Sequence, residues 1–351
     1  MNDYQKTKDR LSGLPKTWLV TGASGFIGSN LVEALLRLGQ KVVGLDNFST
    51  SSRRNLAEVK SLVGPAAWAN FTMVEGDIRH FETCQRAAQG VDCVLHQAAL
   101  GSVPRSLANP VATNENNVTG FVNVLWAAKE SGVKRFVFAS SSSVYGDNQV
   151  WPTKETDLGK CLSPYAVSKR TNELYAEVFG KCYPINFVGL RYFNVFGARQ
   201  DPDGPYAAVI PQWVAKLVRQ DPVYINGDGE TSRDFCYIAN VVQANILAAT
   251  TENPEGLNQF YNVACGERTT LNQLLDGIRQ RLLPHYPHLR DFKPTYREFR
   301  AGDVRHSQAD IGQARKNLGY SPTHLVEQGL DEALAWYRAD LARPVGTTVV
   351  A

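Results

Sequence analysis

Two side chains that could transfer protons, Tyr165 and Lys169, stand four positions apart in this sequence. Ser163 and Pro164 directly before them are typical of a helix start, with serine as the cap and proline as the first helical residue. At about 100° per residue, the tyrosine and the lysine then share one face of the helix. A tyrosine in water has a pKa of ~10, but a nearby ammonium group favours its phenolate. The pair could therefore act as a general acid and base.

The opposite face of this predicted helix carries Val167, Leu174 and Val178. An apolar stripe of this kind normally faces the core of a protein. We therefore expect these three side chains to be packed inside, with the tyrosine and the lysine turned toward a site.

A run of serines at positions 140–143 follows the apolar stretch Phe136–Ala139, which predicts a buried strand. In a doubly wound sheet, ligands bind beyond the carboxyl ends of the strands. The hydroxyls could therefore donate to a substrate oxygen, and a serine cluster that only forms a turn is the alternative. The chain has no G-x-S-x-G elbow, which argues against a serine hydrolase.

Three glycines, Gly22, Gly25 and Gly28, separate a predicted strand at Trp18–Thr21 from a predicted helix near 26–38. Glycines in this context allow a tight turn, a close approach of the backbone to a diphosphate, and close packing of the helix on the sheet. The free N–H groups and the dipole at the helix start favour an anion. The G-x-x-G-x-x-G spacing therefore predicts a dinucleotide site.

Two carboxylates come at the ends of the next two predicted strands, Asp46 and Asp77. A carboxylate at the position of Asp46 binds the adenosine ribose hydroxyls and repels a 2′-phosphate, which predicts NAD rather than NADP. Arg53 and Arg54 are near enough in sequence to weaken this preference. Asp77 is placed to meet the adenine, and a simple turn residue is the alternative.

Strands and helices alternate along the first part of the chain, which predicts an α/β fold with a doubly wound parallel sheet of the Rossmann type. The predicted strands are Trp18–Thr21, Lys41–Asp46, Phe71–Glu75, Cys93–His96, Arg135–Ser140 and Ile185–Arg191, with helices near 26–38, 81–89, 115–131 and 164–181. A second, smaller α/β lobe follows, with helices near 207–219, 238–250, 269–282 and 323–341 and strands near 223–226, 260–264 and 294–298. We predict a nucleotide-binding domain at 1–195 and a substrate domain at 196–351, and segments near 236–264 could return to the first.

Composition narrows the class of protein. The 351 residues are 43% hydrophobic and 20% charged, which excludes a disordered chain and allows about two domains. A net charge of +3 is too small to indicate a surface that binds nucleic acid. The six cysteines are irregularly spaced, the histidines show no metal-ligand spacing, and Met1–Lys16 is too polar for a signal peptide. We expect a cytoplasmic protein with reduced thiols and no metal, membrane or nucleic-acid partner.

Taken together, the motifs resemble those of the extended short-chain dehydrogenase/reductases, from Lys16 to about Tyr337. The matching segments are Thr21–Gly28, His96–Ala99, Asn117–Gly120, Ser141, Tyr165–Lys169, Arg191–Gly197 and Gly227–Ile238. Within that family the chain is similar to the UDP-hexose 4-epimerases, especially bacterial enzymes that use UDP-N-acetylglucosamine in the synthesis of surface polysaccharide (O-antigen) precursors. The resemblance implies an NAD-dependent isomerase, a UDP-sugar substrate and a homodimer formed through the helices at 115–131 and 164–181.

The resemblance also implies roles for individual residues. Tyr165 is the base, Lys169 binds the nicotinamide ribose, and Ser141 binds the sugar O4, with Ser142 or Ser143 as alternatives. The implied cofactor-binding residues are Gly22, Gly25, Phe26, Ile27, Gly28, Asp46, Asn47, Asp77, Ile78, Gln97, Ala98, Ala99, Asn117, Tyr165, Lys169 and Tyr192. The implied substrate-binding residues are Gly101, Ser102, Ser141, Ser142, Ser143, Asn194, Arg233, Arg300, Asp303 and Ser307. We expect His96 to pack at a strand end rather than to titrate.

Two departures from the family pattern bear on the substrate. Gly101 stands where many galactose epimerases have a lysine, so the contacts that bind the cofactor must differ at this position. Ser307 stands where epimerases restricted to UDP-glucose and UDP-galactose have a tyrosine, and the lost ring leaves room for an N-acetyl group beside C2.

Three other functions stay open from the sequence. A UDP-uronic acid 4-epimerase could use Arg305 or Arg105 for its second anion. A nucleotide-sugar 4,6-dehydratase would need an Asp-Glu pair where this chain has Ser142 and Ser143. A non-catalytic NAD-binding sensor would not need Tyr165 and Lys169.

Overall fold

A parallel sheet of seven strands forms the centre of the protein, which is described by a computed structural model over residues 3–204, 207–299 and 304–343. The strands are β1 (Thr17–Thr21), β2 (Lys41–Asp46), β3 (Phe71–Glu75), β4 (Cys93–His96), β5 (Arg135–Ser141), β6 (Asn186–Tyr192), β7 (Val195–Phe196), β8 (Tyr224–Asn226), β9 (Ser232–Arg233), β10 (Cys236–Tyr237), β11 (Gln259–Val263), β12 (Thr269–Thr270) and β13 (Thr295–Arg297). The main sheet has the order β3-β2-β1-β4-β5-β6-β11 and all its pairings are parallel. The predicted doubly wound fold is confirmed.

Helices cover both faces of this sheet and build the second lobe. They are α1 (Asp3–Gly13), α2 (Phe26–Arg37), α3 (Arg53–Trp68), α4 (Phe81–Ala88), α5 (Val103–Ala108), α6 (Pro110–Asn114), α7 (Gly120–Glu130), α8 (Pro164–Cys182), α9 (Val209–Arg219), α10 (Ile238–Thr250), α11 (Leu271–Leu282), α12 (Gly312–Leu318) and α13 (Val326–Leu341). A π-helical turn at Glu115–Thr119 joins α6 to α7, and short 3₁₀ turns lie at Ser142–Tyr145, Pro254–Gly256 and Pro287–Leu289.

The second lobe contains three small two-stranded sheets, β7 with β10, β9 with β12 and β8 with β13. The chain also returns to the main sheet, because β11 pairs with β6 and α10 packs against β4, β5 and β6. Both elements lie inside the segment 236–264 that the sequence left open to the first domain. One cluster of buried apolar side chains extends from Leu11 to Tyr337 and joins the two lobes.

Five helices, α1, α3, α5, α6 and α12, were not predicted, and α1 and α3 are the longest of them. The pattern of α3 is interrupted at Gly64, which has φ 77, and at Pro65, so its two halves are too short to show a clear period. The amide of Gln40 donates to the carbonyl oxygen of Leu11 at 2.8 Å and so ties α1 to the start of β2. These helices add to the core without changing the order of the sheet.

The expectation that Val167, Leu174 and Val178 pack against the core is wrong. Their side chains on α8 are 53%, 47% and 53% exposed. The buried face of α8 is instead the one that carries Lys169, Glu173 and several small residues. Because these polar groups find hydrogen-bond partners on the sheet, the helix can bury its more polar face.

Replacing Leu11 by alanine tests whether α1 is an integral part of the fold. Leu11 is 2% exposed, so Leu11→Ala should lower the free energy of unfolding by about 3 kcal/mol. Leu14, 62% exposed just beyond the helix, provides the matched control, and Leu14→Ala should change stability by less than about 0.5 kcal/mol. Urea unfolding measures both. Equal stability of the two variants would show that α1 does not pack as described.

Candidate active site

The turn between β1 and α2 forms a cradle of backbone atoms. Gly22 has φ 67, and a Cβ there would lie 2.9 Å from the backbone nitrogen of Ala98. A Cβ on Gly28 would overlap the carbonyl oxygen of Gly22. Helix α2 begins after Gly25 with no side chain capping its N–H groups and no acidic residue in its first turn. An anion can therefore approach these N–H groups closely, as a dinucleotide diphosphate requires.

A cavity of about 310 Å³, here called the glycine cavity, opens in front of this turn. Eleven of the sixteen predicted cofactor-binding residues line it: Gly22, Gly25, Phe26, Ile27, Gly28, Asp46, Asn47, Ile78, Gln97, Ala98 and Ala99. Gly101, predicted for the substrate, also lines it, and so do the unpredicted residues Leu45, Ser49, Thr50, Ser51, Gly76, Leu100 and Asn116. The loop after β2 therefore contributes more to this cavity than its sequence indicated.

The carboxylate of Asp46 lies at the edge of the glycine cavity and is buried. It accepts hydrogen bonds from the backbone N–H groups of Ser24 and Phe48 at 2.9 and 2.8 Å, which hold it in place. The two arginines that could have attracted a 2′-phosphate have other partners. Arg53 pairs with Glu75 at 2.6 Å and Arg54 pairs with Asp340. This arrangement fits NAD.

Asp77 does not line the glycine cavity, although its neighbours do. Its carboxylate accepts a hydrogen bond from Asn47 at 2.8 Å and a bidentate pair from Arg79 at 3.0 and 2.7 Å. The hydrogen bonds from Arg79 lower the pKa of Asp77 to about 2. Asp77 thus reaches the cavity through Asn47, which it orients.

Asn117 and Tyr192 also lie outside the cavity lining and bind the residues that form it. Asn117 is buried, accepts from the N–H of Leu100 at 2.7 Å and donates to its carbonyl at 3.0 Å. The hydroxyl of Tyr192 donates to Gln97 at 3.1 Å and accepts from Asn245 at 2.8 Å. Both side chains therefore support the strand end after β4.

Tyr165 and Lys169 lie near the start of α8, where the Ser163 hydroxyl accepts the N–H of Ala166 at 3.1 Å. Lys169 is 3% exposed, and its Nζ donates to the carbonyl of Ala139 at 2.8 Å. Nζ lies 5.9 Å from the centroid of the Tyr165 ring. Burial lowers the pKa of Lys169 to about 8, against the opposing effect of Glu173. Burial raises the pKa of Tyr165, and a hydrogen bond with Ser141 opposes that rise.

The serine run divides its hydroxyls among different partners. Ser140 points inward and donates to Glu173 at 2.6 Å. Ser141 lies next to the Tyr165 phenol, and its hydroxyl accepts the N–H of Ser143 at 3.1 Å. Ser142 and Ser143 line a second cavity, and the buried Ser143 hydroxyl has no hydrogen-bond partner within the described residues. A substrate oxygen could satisfy it.

This second cavity, the serine cavity, has a volume of about 570 Å³ and is lined by Ser142, Ser143, Asn194, Arg233 and Ser307. A third cavity of about 490 Å³, the aromatic cavity, is lined by Ser102, Trp213, Tyr224 and Phe235. Asn194 and Arg233 line both cavities, so these two side chains mark where they meet. The predicted substrate residues Arg300 and Asp303 lie outside the described residues.

Glu173 is a buried residue of the site that the sequence analysis did not single out. Its carboxylate accepts from Arg191 at 2.8 and 2.9 Å as well as from Ser140. In the sequence, only its position one helical turn after Lys169 could have indicated that Glu173 belongs to the site.

His96 is also buried. It lies 2.9 Å from the hydroxyl of Thr21, and burial lowers its pKa to about 3, so it is neutral and structural as expected.

The described residues contain no His, Cys, Asp and Glu group suited to a metal ion. The six cysteines are free. None of the helices in the described part of the chain has the length and apolar character needed to cross a bilayer.

Comparisons with known proteins place this site in a family. Residues 18–264 match the sequence model of the NAD dependent epimerase/dehydratase family. The UDP-glucose 4-epimerase of Mycolicibacterium smegmatis is 34% identical over 323 residues, covering 91% of this chain and 98% of that protein. The UDP-glucuronate 4-epimerase of Thermodesulfobacterium geofontis is 31% identical over 332 residues, covering 92% and 97%. The solved UDP-N-acetylglucosamine 4-epimerase from Methanobrevibacter ruminantium, in complex with UDP-N-acetylmuramic acid, is 37% identical with a TM-score of 0.84, covering 93% and 99%.

These relatives are aligned over almost their whole length, and they differ in the sugar that their names give. The predicted NAD cofactor, the predicted epimerase class and the resemblance to extended short-chain dehydrogenase/reductases are confirmed. Since the family match extends over the glycine turn, the serine run and the Tyr165–Lys169 pair, the chain belongs to the NAD-dependent epimerase/dehydratase family.

Proposed function

We propose that this protein is a UDP-N-acetylglucosamine/UDP-N-acetylgalactosamine 4-epimerase that also accepts UDP-glucose and UDP-galactose. The observation that carries the proposal is the buried amine of Lys169, 5.9 Å from the centroid of the Tyr165 ring, with Ser141 next to the phenol. The 4-epimerase names of the relatives support the reaction class. The resemblance in the sequence supports a role in the synthesis of surface polysaccharide precursors.

In the proposed reaction, Tyr165 accepts the proton of the sugar C4 hydroxyl while Ser141 holds O4. NAD, when bound along the glycine cavity, would take the hydride of C4 and give it back. The resulting 4-keto sugar turns about its link to the diphosphate, and Tyr165 returns the proton when C4 is reduced on its other face. Arg233 and Asn194 would hold the nucleotide during this rotation, because they lie between the serine and aromatic cavities. Binding energy is then concentrated on the part of the substrate that does not react.

The proposed preference for an N-acetyl sugar rests on Ser307. Its N–H donates to the carbonyl of Ser232 at 3.1 Å, which fixes its backbone, and its small side chain lines the serine cavity. Trp151, Val150 and Leu162 also line this cavity and could contact an acetyl methyl group. The volume of about 570 Å³ suits a hexose with an added substituent.

The alternatives find less support in the geometry. Arg305 pairs with Asp228 at 2.7 Å, and neither Arg305 nor Arg105 lines the serine or aromatic cavity, so a uronic acid carboxylate would lack the partner predicted for it. Among the described residues that line the serine cavity, Arg233 is the only arginine or lysine. The serine cavity also has no described carboxylate in its lining for dehydratase chemistry.

Tyr165→Phe tests the proposed base. The variant keeps the ring but loses the proton acceptor, so kcat for conversion of UDP-N-acetylglucosamine into its C4 epimer, followed by NMR, should fall at least ~100-fold. Tyr286→Phe, at a half-buried tyrosine after α11 that lines none of the three cavities, is the matched control and should retain parental activity. NAD content is measured in both. A Tyr165→Phe enzyme as fast as the parent would refute the mechanism.

Ser307→Tyr tests the proposed substrate class. The added ring should fill the serine cavity and reduce kcat/KM for UDP-N-acetylglucosamine at least ~10-fold relative to that for UDP-glucose. UDP-glucose turnover by the same variant serves as the internal control for folding. An equal loss of kcat/KM on both substrates would show that Ser307 does not determine the preference for an N-acetyl sugar.

We also propose a homodimer in which α8 contributes to the interface. The exposed Val167, Leu174, Tyr175 and Val178 give this helix an apolar outer surface that the described chain leaves open to solvent. Contiguous apolar surface of this kind is typical of an interaction site.

A charge placed on this surface tests the homodimer. Val178→Asp should shift the mass measured by light scattering from dimer toward monomer, because the carboxylate would be buried on association. Leu62→Asp, at a 48% exposed position on α3, is the matched control and should leave the mass unchanged. A monomeric parent protein would contradict the proposal directly.

A further inference from the structure

One carboxylate, that of Glu173, connects three elements of the site. Glu173 is fully buried on α8. It accepts from Ser140 of β5 at 2.6 Å, from Arg191 of β6 at 2.8 and 2.9 Å, and from Arg170 of its own helix at 2.8 Å. A buried carboxylate is costly unless its oxygens are satisfied in this way. The site therefore maintains this charge with four donors.

The bonds of Glu173 set the register of α8 on β5. Lys169, one turn earlier, donates to the carbonyl of Ala139, and Glu173 accepts from the next residue of the strand, Ser140. The residue after that is Ser141, which lies next to the Tyr165 phenol. Two consecutive strand residues are thus matched to two consecutive turns of the helix, which leaves Ser141 opposite the phenol.

The bonds continue from Glu173 to the wall of the serine cavity. Arg191 donates to the hydroxyl of Tyr145 at 3.2 Å, and Tyr145 lines that cavity. Tyr145 in turn donates to Asn262, whose amide donates to the carbonyl of Thr153 at 2.9 Å. The same carboxylate therefore supports the acid–base pair and one wall of the substrate cavity.

Three titratable groups interact with the Lys169 amine: Tyr165 and Glu173 on its own helix and His96 on β4. Two further charges, Arg170 on α8 and Arg191 on β6, lie next to Glu173. His96 is neutral because burial lowers its pKa to about 3. Arg170 and Arg191 bind Glu173 directly. Glu173 is therefore the described carboxylate that opposes the effect of burial on Lys169.

We propose that Glu173 is a positioning residue that keeps the Tyr165–Lys169 helix in register with Ser141 and places a negative charge one helical turn after Lys169. The proposed effect of Glu173 on the register of the helix needs no assumption about the substrate. Only the importance of this charge for catalysis rests on the proposed function, because a charged Lys169 affects turnover only if Tyr165 works as a phenolate. Removing the negative charge should make Lys169 lose its proton at lower pH, and removing a positive charge beside Glu173 should have the opposite effect.

Three variants of the full-length, NAD-loaded protein test this inference. In Glu173→Gln, the titration midpoint of Lys169 should fall by about one pH unit, and the alkaline limb of the kcat profile should move with it. In Arg170→Gln, whose parent side chain is 28% exposed, both should move upward. Glu177→Gln, one turn further along α8 and half-buried, makes the same chemical change and should move neither.

The Lys169 midpoint is read by NMR on isotope-labelled lysine, with its signal assigned from Lys169→Arg, so this readout does not depend on turnover. An inactive parent with the expected Lys169 shifts would refute the proposed function and leave the role of Glu173 standing. A folded Glu173→Gln protein with the parental midpoint would overturn the inference. If Glu173→Gln does not fold, Arg170→Gln decides, and an unchanged or lowered midpoint there would overturn the inference as well.

Discussion

The contact between the polar face of α8 and the end of β5 is the interaction on which the rest of the site depends. Lys169 and Glu173 bind consecutive strand residues, Ala139 and Ser140. This match brings the phenol of Tyr165 to the hydroxyl of Ser141. A shift of one residue between the helix and the strand would move that hydroxyl by about 3.3 Å along the strand and so away from the tyrosine.

The segment after β4 brings the three cavities together around this contact. Leu100 and Gly101 line the glycine cavity, Ser102 lines the aromatic cavity, and Pro104 lines both the aromatic and the serine cavity. Asn117 holds Leu100 by both its N–H and its carbonyl. Cofactor and substrate would therefore meet along one short stretch of backbone, at the carboxyl edge of the sheet where α/β folds bind ligands.

The interior of the site is polar where the sequence pattern suggested apolar packing. A periodic stripe shows which residues of a helix share a face, and the stripe with Val167, Leu174 and Val178 was interpreted as the inner one. The structure buries Lys169 and Glu173 instead, and their hydrogen-bond partners on the sheet come from β5 and β6. Those partners are distant in sequence, so no local pattern could have indicated them. The same holds for Asn245, which binds Tyr192 from α10.

The sequence by itself determined what depends on spacing. It placed three glycines in a turn between a strand and a helix, put Tyr165 and Lys169 on one helical face behind a serine cap, and indicated the doubly wound sheet. Only the tertiary structure decided which face of α8 is buried, which of the serines lies next to the phenol, and that Arg53 and Arg54 pair away from Asp46. Spacing acts through the local backbone, whereas burial and charge pairing depend on groups that only the folded chain brings together.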